Sequence, residues 1–163
     1  AGATRGAVYW HFKDKLDLFY AMLDRVRLPL EQIDSEGQGG LAEVRCAIAA
    51  VYQRLEMDEQ TRRVFEVLLH KVEYVGDLVV VQERSAAAML EFEARLEVGL
   101  AFAQRHQGID LPVTTSEAAA VLRSTFDGVI RSWLLSRGGF DLSGVGMRAV
   151  DVYLRGLGFV LSS

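Results

Sequence analysis

The chain has 163 residues, of which 50% are hydrophobic and 25% are charged. This balance is typical of a folded, soluble domain and excludes a mainly disordered or collagen-like chain. No apolar run reaches the roughly 18 residues of a membrane span, so we expect no membrane contact. Because Cys46 is the single cysteine, no internal disulfide can form, which fits a cytoplasmic protein. We expect Cys46 to be a small core residue rather than a nucleophile.

The net charge of −4 is unevenly distributed along the chain. Three basic residues and one acidic residue give positions 1–15 a charge of +2, which leaves −6 for the remainder. A basic tip on an acidic body is compatible with nucleic-acid contact at the tip. Chance clustering in so short a window explains the charges equally well, so composition leaves both interpretations open.

Helical periodicity dominates the first half of the chain. Apolar residues in 16–33 recur at steps of three and four, which predicts one helix with a kink near Pro29. The glycine-rich stretch 34–40 predicts a loop. Helices are then predicted over 41–55 and from Asp58 to about residue 74.

The second half of the chain is helical as well. A long helix is predicted over 78–107, where Gly108 ends it. Thr114 and Glu117 match a capping box, which opens a helix that reaches about residue 136. A last helix is predicted over 145–161. No alternating strand pattern of useful length occurs, so the predicted fold class is all-α.

Residues 1–12 carry the most informative pattern. Thr4 is a good N-cap for a helix of about two turns over 4–12. Val8 and Phe12 are four apart and face inward, which leaves three rings at or near the surface: Tyr9, Trp10 and His11. Polar groups on such a helix can donate to phosphates, and small residues near its N-terminus let it enter the major groove.

These residues resemble the second half of a helix-turn-helix. Positions 1–19 read Ala-Gly-x-Thr-Arg-Gly-Ala-x-Tyr-Trp-His-Phe-Lys-x-Lys-x-x-Leu-Phe, which is similar to TetR/AcrR-type repressors, and most of all to the AcrR-like branch that controls multidrug efflux pumps. The likeness continues through Pro29 into 62–66, 69–74 and 126–135. The first helix and the positioning helix of the motif are absent before Ala1, so we interpret the chain as N-terminally incomplete.

The resemblance implies three parts: a helix-turn-helix remnant over 1–15, a connecting helix over 16–33, and a ligand-binding and dimerisation domain over 34–163. Arg5 would read a guanine through bidentate contact. Thr4 would lie close to a phosphate, and Tyr9, His11 and Lys15 would contact phosphates. The implied DNA-contacting set is Thr4, Arg5, Gly6, Ala7, Tyr9, Trp10, His11 and Lys15, and the implied partner is palindromic operator DNA.

In the family, a cavity for small molecules lies between the helices of the body. Here apolar residues on inward stripes would form its wall, although plain core packing explains each of them equally well. Asp127 and Arg123 are four apart on an apolar helix, where they could pair with each other, orient a ligand or meet a second subunit. The expected ligand is a small apolar or cationic inducer. The candidate ligand residues are Val51, Leu55, Phe65, Leu69, Met89, Phe92, Leu96, Arg123, Phe126, Asp127 and Ile130.

The last two predicted helices resemble the pair that joins two subunits in the family. An apolar seam on them would make a homodimer, unless these helices only close the core of the single chain. The candidate interface residues are Leu122, Trp133, Val152, Tyr153, Gly156 and Val160.

Known catalytic and cofactor patterns do not occur in this sequence. There is no His-Glu-x-x-His, cysteine pair, Walker loop or dinucleotide-binding glycine motif, so we expect no catalytic residue, metal or cofactor. The sequence therefore predicts a ligand-responsive DNA-binding repressor that regulates an efflux or detoxification operon. Two alternatives remain: a helical carrier or sensor of apolar molecules that does not bind DNA, and a helical interaction domain.

Overall fold

The computed structural model describes residues 40–70 and 79–161. Within these two ranges every regular element is an α-helix, in agreement with the predicted all-α fold. The helices, in chain order, are α1 (Gly40–Met57), α2 (Glu59–His70), α3 (Val79–Gln107), α4 (Thr115–Leu135) and α5 (Leu142–Gly156). The predicted helix-turn-helix remnant and the connecting helix over 16–33 lie outside the described residues, as does the predicted extension of α2 to residue 74.

The end of α3 and the start of α4 lie where the sequence predicts them. Gly108 adopts a φ of 63°, the left-handed conformation that commonly follows a helix. Thr114 caps α4: its hydroxyl accepts a hydrogen bond from the amide of Glu117, whose carboxylate accepts one from the amide of Thr114 at 2.9 Å. These hydrogen bonds hold the pKa of the Glu117 carboxyl below its usual range. The capping-box prediction is confirmed.

The bounds predicted for the last helix were wrong at both ends. Helix α5 begins at Leu142, because the Asp141 side chain caps it by accepting from the amide of Gly144 at 2.8 Å. It ends at Gly156, and the chain turns at Gly158, whose φ is 97°. Both signals are local, and the sequence interpretation overlooked them.

Four of the described helices enclose a single core. Helix α1 packs against α3 and α5, and α4 packs against the same two helices, which closes a ring of contacts; α2 packs on α1. The largest fully buried side chains point into this ring: Ile48, Tyr52, Leu55, Leu96, Leu100, Leu122, Phe126, Ile130, Leu142 and Leu154.

Cys46 was predicted to be a core residue, and this was wrong. Its side chain is exposed on α1. The inward side of α1 is taken by its neighbours Val44, Ala47 and Ile48, which are buried. The direction of the side chain follows from the helix register, which composition does not reveal.

Candidate ligand site and subunit face

Three aromatic rings from three helices meet in the core. Tyr52 of α1 stacks on Phe126 of α4, with ring centroids 5.4 Å apart and an interplanar angle of 29°. Phe92 of α3 meets the same Phe126 ring edge-on, at 5.3 Å and 62°. Both distances lie in the range in which aromatic pairs attract beyond their burial. We call Tyr52, Phe92 and Phe126 the aromatic cluster.

A row of charges borders this cluster. Arg123 of α4 donates through Nε to Glu93 of α3 at 2.5 Å, and through Nη1 to Asp127 of α4 at 2.9 Å. The Glu93 hydrogen bond is the main reason why the pKa of Arg123 is raised. Of the roles predicted for Arg123 and Asp127, the structure thus shows that they pair with each other. The sequence interpretation missed Glu93, because its partner lies on another helix 30 positions away.

The environment of Asp127 disfavours its negative charge. Burial raises the pKa of this carboxyl, and the nearby guanidiniums of Arg123 and Arg131 offset only part of the effect. The phenol of Tyr52 is fully buried, and its pKa is raised by burial and by the charge of Asp127. The Tyr52 hydroxyl finds no hydrogen-bond partner in the part of the chain that the structure describes.

The predicted ligand residues divide between core and partly open positions. Phe65, Met89, Arg123 and Asp127 are partly exposed, and the side chain of Leu69 lies outside the described set. The others are buried in the core: Val51, Leu55, Phe92, Leu96, Phe126 and Ile130. The structure therefore brings Phe92, Phe126 and Asp127 to one place, and adds Tyr52, which the sequence interpretation did not select.

A cavity of about 330 Å³ lies elsewhere, between the start of α1, the end of α3 and the segment after α5. Its wall includes Arg45, Phe102, His106 and Val160, and none of the predicted ligand residues. Arg45 is held there by Asp151 at 2.8 Å. The Gln107 side chain donates to the carbonyl of Val160 and accepts from its amide, both at 2.9 Å, which fixes the segment after α5.

An exposed apolar stripe runs along α4 and α5. On α4 it includes Val121 and Leu135, and on α5 it includes Val145 and Val152, with Val160 just beyond. Gly128 and Gly156 are also exposed, and nothing lies within 4 Å of the place where a Cβ would stand. We call the set Val121, Gly128, Leu135, Val145, Val152, Gly156 and Val160 the subunit face.

Two residues predicted for the interface lie inside the chain instead. Leu122 and Trp133 are buried, so neither is available to a second subunit in this structure. Trp133 donates from Nε1 to the carbonyl of Phe140 at 2.9 Å, and the guanidinium of Arg62 lies 6.0 Å from its ring centre. Tyr153 is half-buried and donates to the carbonyl of Ala118 at 3.1 Å. The other three, Val152, Gly156 and Val160, are exposed.

Comparison with protein families decides the class of the protein. Residues 40–159 match the C-terminal region of MAATS-type transcriptional repressors, a TetR-family domain. The chain belongs to the TetR family of transcriptional repressors. The resemblance seen in the opening residues and along the body is thereby confirmed.

Individual relatives agree with this assignment. The transcriptional regulator TtgR of Pseudomonas putida is 32% identical over 159 residues, which are 94% of this chain and 76% of TtgR. AcrR of Shigella flexneri is 32% identical over 147 residues, 87% of this chain and 68% of AcrR. Both relatives are thus matched over most of their own length as well as over most of this chain.

Solved structures share the fold. NalD, the secondary repressor of the MexAB-OprM multidrug efflux pump in Pseudomonas aeruginosa, superimposes with a TM-score of 0.75 at 31% identity, over 96% of this chain and 80% of NalD. The SmeT–triclosan complex superimposes with a TM-score of 0.72 at 29% identity, over 95% of this chain and 76% of SmeT.

Metal and membrane sites are absent from the described residues. These residues contain no group of three or more side chains able to hold a metal ion. None of the helices in ranges 40–70 and 79–161 is both long and apolar enough to cross a membrane. The predicted DNA contacts between Thr4 and Lys15 lie outside the described residues.

Proposed function

We propose that this protein is a dimeric repressor of an efflux or detoxification operon, and that a small apolar compound releases it from palindromic operator DNA. The observation that carries the proposal is the family match over 40–159. The described relatives support the same role, since NalD represses a multidrug efflux pump and SmeT binds triclosan.

The ligand site we propose is the aromatic cluster with Asp127 beside it. Ring faces from three helices offer apolar surface that tolerates different shapes, and the neighbouring carboxylate offers a polar contact that orients a ligand. Phe65 and Met89, which are half-buried, would extend the apolar wall.

The second subunit would sit on the subunit face. A two-fold dimer through α4 and α5 buries the same stripe on both copies, in a contact of four helices. Such a dimer presents two recognition helices about one DNA turn, roughly 34–36 Å, apart. A palindromic operator follows from this symmetry.

Release requires that the compound favours a conformation that does not fit the operator. The compound must bind that conformation more tightly than the DNA-bound one, or no release follows. The predicted connecting helix over 16–33 is the natural lever, because it joins the recognition helix to the body, and Pro29 would let its two halves tilt separately.

An electrophoretic mobility shift with the full-length gene product and its own upstream DNA tests the proposal, with and without triclosan. We expect a specific complex that triclosan dissociates. Lys15→Ala should weaken binding to every DNA sequence and flatten its salt dependence, because one phosphate contact is lost. Arg5→Ala should instead relax sequence preference at one position in each half-site.

Two kinds of result would contradict the proposal. A protein that binds triclosan but no DNA would be a carrier or sensor. An unchanged salt slope for Lys15→Ala would remove the phosphate role assigned to that residue, and equal losses on all DNA sequences for Arg5→Ala would argue against base reading.

A further inference from the structure

The hydroxyl of Tyr52 has no evident structural purpose. The Tyr52 side chain is fully buried, and no described residue accepts from its hydroxyl or donates to it. Burying a hydroxyl without a hydrogen bond is unfavourable. Phenylalanine would keep the stacking on Phe126 and avoid that cost, so packing alone does not explain a tyrosine at this position.

The position of the ring directs the hydroxyl into the core between α1, α4 and α5. The Phe126 ring covers one side of Tyr52, with 5.4 Å between ring centroids. The backbone of Gly146 approaches its far end so closely that a Cβ there would lie 2.7 Å from Cζ, the carbon that carries the hydroxyl. The phenol is therefore held in one orientation, as a positioned donor must be.

Asp127 supplies the complementary acceptor. It follows Phe126 directly, and its charge acts on the Tyr52 phenol. Its side chain is 38% exposed, and one hydrogen bond from Arg123 uses only part of the acceptor capacity of a carboxylate. Because Arg123 already balances its charge, the site does not call for a cation, whereas a neutral donor can still be accepted.

We propose that Tyr52 is a specificity-determining residue of the ligand site, which with Asp127 selects apolar ligands that carry a neutral hydroxyl group. The Tyr52 phenol donates to the ligand oxygen, and the ligand hydroxyl donates to the Asp127 carboxylate. A hydroxyl suits this pair because it is donor and acceptor at once. The inference rests on the proposed function, since it names the chemistry that the same site recognises.

Matched probes test this selection directly. Binding of 4-phenylphenol and of biphenyl to the full-length protein is measured by calorimetry or by fluorescence quenching. We expect the native protein to bind 4-phenylphenol at least about tenfold more tightly than biphenyl. Tyr52→Phe should weaken binding of 4-phenylphenol about tenfold and leave biphenyl unchanged, so that the preference nearly disappears.

Tyr153→Phe is the matched control. Tyr153 is also packed at the edge of the core, but its hydroxyl already donates to the carbonyl of Ala118 at 3.1 Å. This variant should keep the preference for 4-phenylphenol and lower the melting temperature. Tyr52→Phe should leave the melting temperature of the ligand-free protein unchanged or raise it, because no hydrogen bond is lost.

Three results would overturn the inference. The first is native protein with no preference for 4-phenylphenol or no binding of either probe. The second is a preference that survives Tyr52→Phe. The third is a loss of melting temperature in Tyr52→Phe as large as that in Tyr153→Phe, which would make the hydroxyl structural. If triclosan still dissociates the operator complex in any of these cases, the repressor function stands and only the role of Tyr52 fails.

Discussion

Gly146 is the residue whose smallness the core depends on most directly. A Cβ at this position would lie 2.3 Å from Cε2 of Tyr52, and the Tyr52 ring cannot retreat because Phe126 stacks on it. At other helical positions glycine lowers stability relative to alanine by about 1 kcal/mol. Here it allows α5 to approach α1 closely enough to bury the ring.

Gly146→Ala should therefore lower the free energy of unfolding by about 1–3 kcal/mol, despite the better helix propensity of alanine. Urea titration of the single variants and of Gly146→Ala with Tyr52→Leu measures the coupling. The smaller side chain should absorb part of the loss, with a coupling of at least about 0.5 kcal/mol. Strictly additive effects would mean that the two residues do not contact each other.

Asp127 should make stability depend on pH. Its pKa in the folded protein is raised above the ordinary 3.8 by burial, against the opposing influence of Arg123 and Arg131. The folded state thus holds the proton more tightly, and the resulting stabilisation is present in acid and is lost as the pH rises through the folded pKa.

Asp127→Asn isolates this contribution, because asparagine does not titrate. As the pH rises above 3.8, the free energy of unfolding of the native protein should fall relative to that of the variant. Urea titrations of both proteins at a series of pH values give the difference. A difference that changes in the opposite direction would show that pairing with Arg123 outweighs burial.

At the scale of elements, α5 is joined to α1 by a carboxylate. Glu56, near the end of α1, accepts from the amide of Leu142 at 2.7 Å and from the hydroxyl of Ser143. It satisfies an amide in the first turn of α5 that has no partner within the helix, in addition to the Asp141 cap. One side chain thereby fixes where two helices meet.

Glu56→Ala should lower the free energy of unfolding by about 1–3 kcal/mol, since two hydrogen bonds to a carboxylate are lost and the Leu142 amide loses its acceptor. Glu59→Ala is the control, because the Glu59 carboxylate pairs with Arg63 on the exposed surface of α2. It should change stability by less than about 0.5 kcal/mol in a urea titration. Equal effects of the two substitutions would exclude the role given to Glu56.

At the scale of the whole molecule, the subunit face is an apolar surface of α4 and α5 that the ring of helices leaves uncovered. Leu135 and Val152 are 67% and 68% exposed. Apolar side chains exposed along two adjacent helices are typical of a surface that another protein covers.

Val152→Asp should convert the proposed dimer into monomers, because it places a charge in the centre of the apolar contact. Sedimentation velocity at micromolar concentration measures the mass. Leu90→Asp is the matched control, since Leu90 is 69% exposed but lies on α3, and it should leave the dimer intact. A native protein that sediments as a stable monomer would contradict the subunit face.

The sequence by itself determined the helices and the family of the protein. The signals for these are local: a capping box at Thr114, a glycine after α3, apolar steps of three and four, and the opening motif. Even the bounds that were wrong, those of α5, follow from a local cap at Asp141 and a left-handed glycine at 158.

Tertiary structure decided which residues share a site. Leu122 and Trp133 lie on apolar stripes like those of an interface, yet the stripe they occupy packs inward, while Val121 and Leu135 face outward. Glu93 reaches Arg123, and Gly146 meets Tyr52, although each pair is far apart along the chain. Periodicity fixes that a helix has an apolar face, but only the packing of the helices against one another fixes what that face touches.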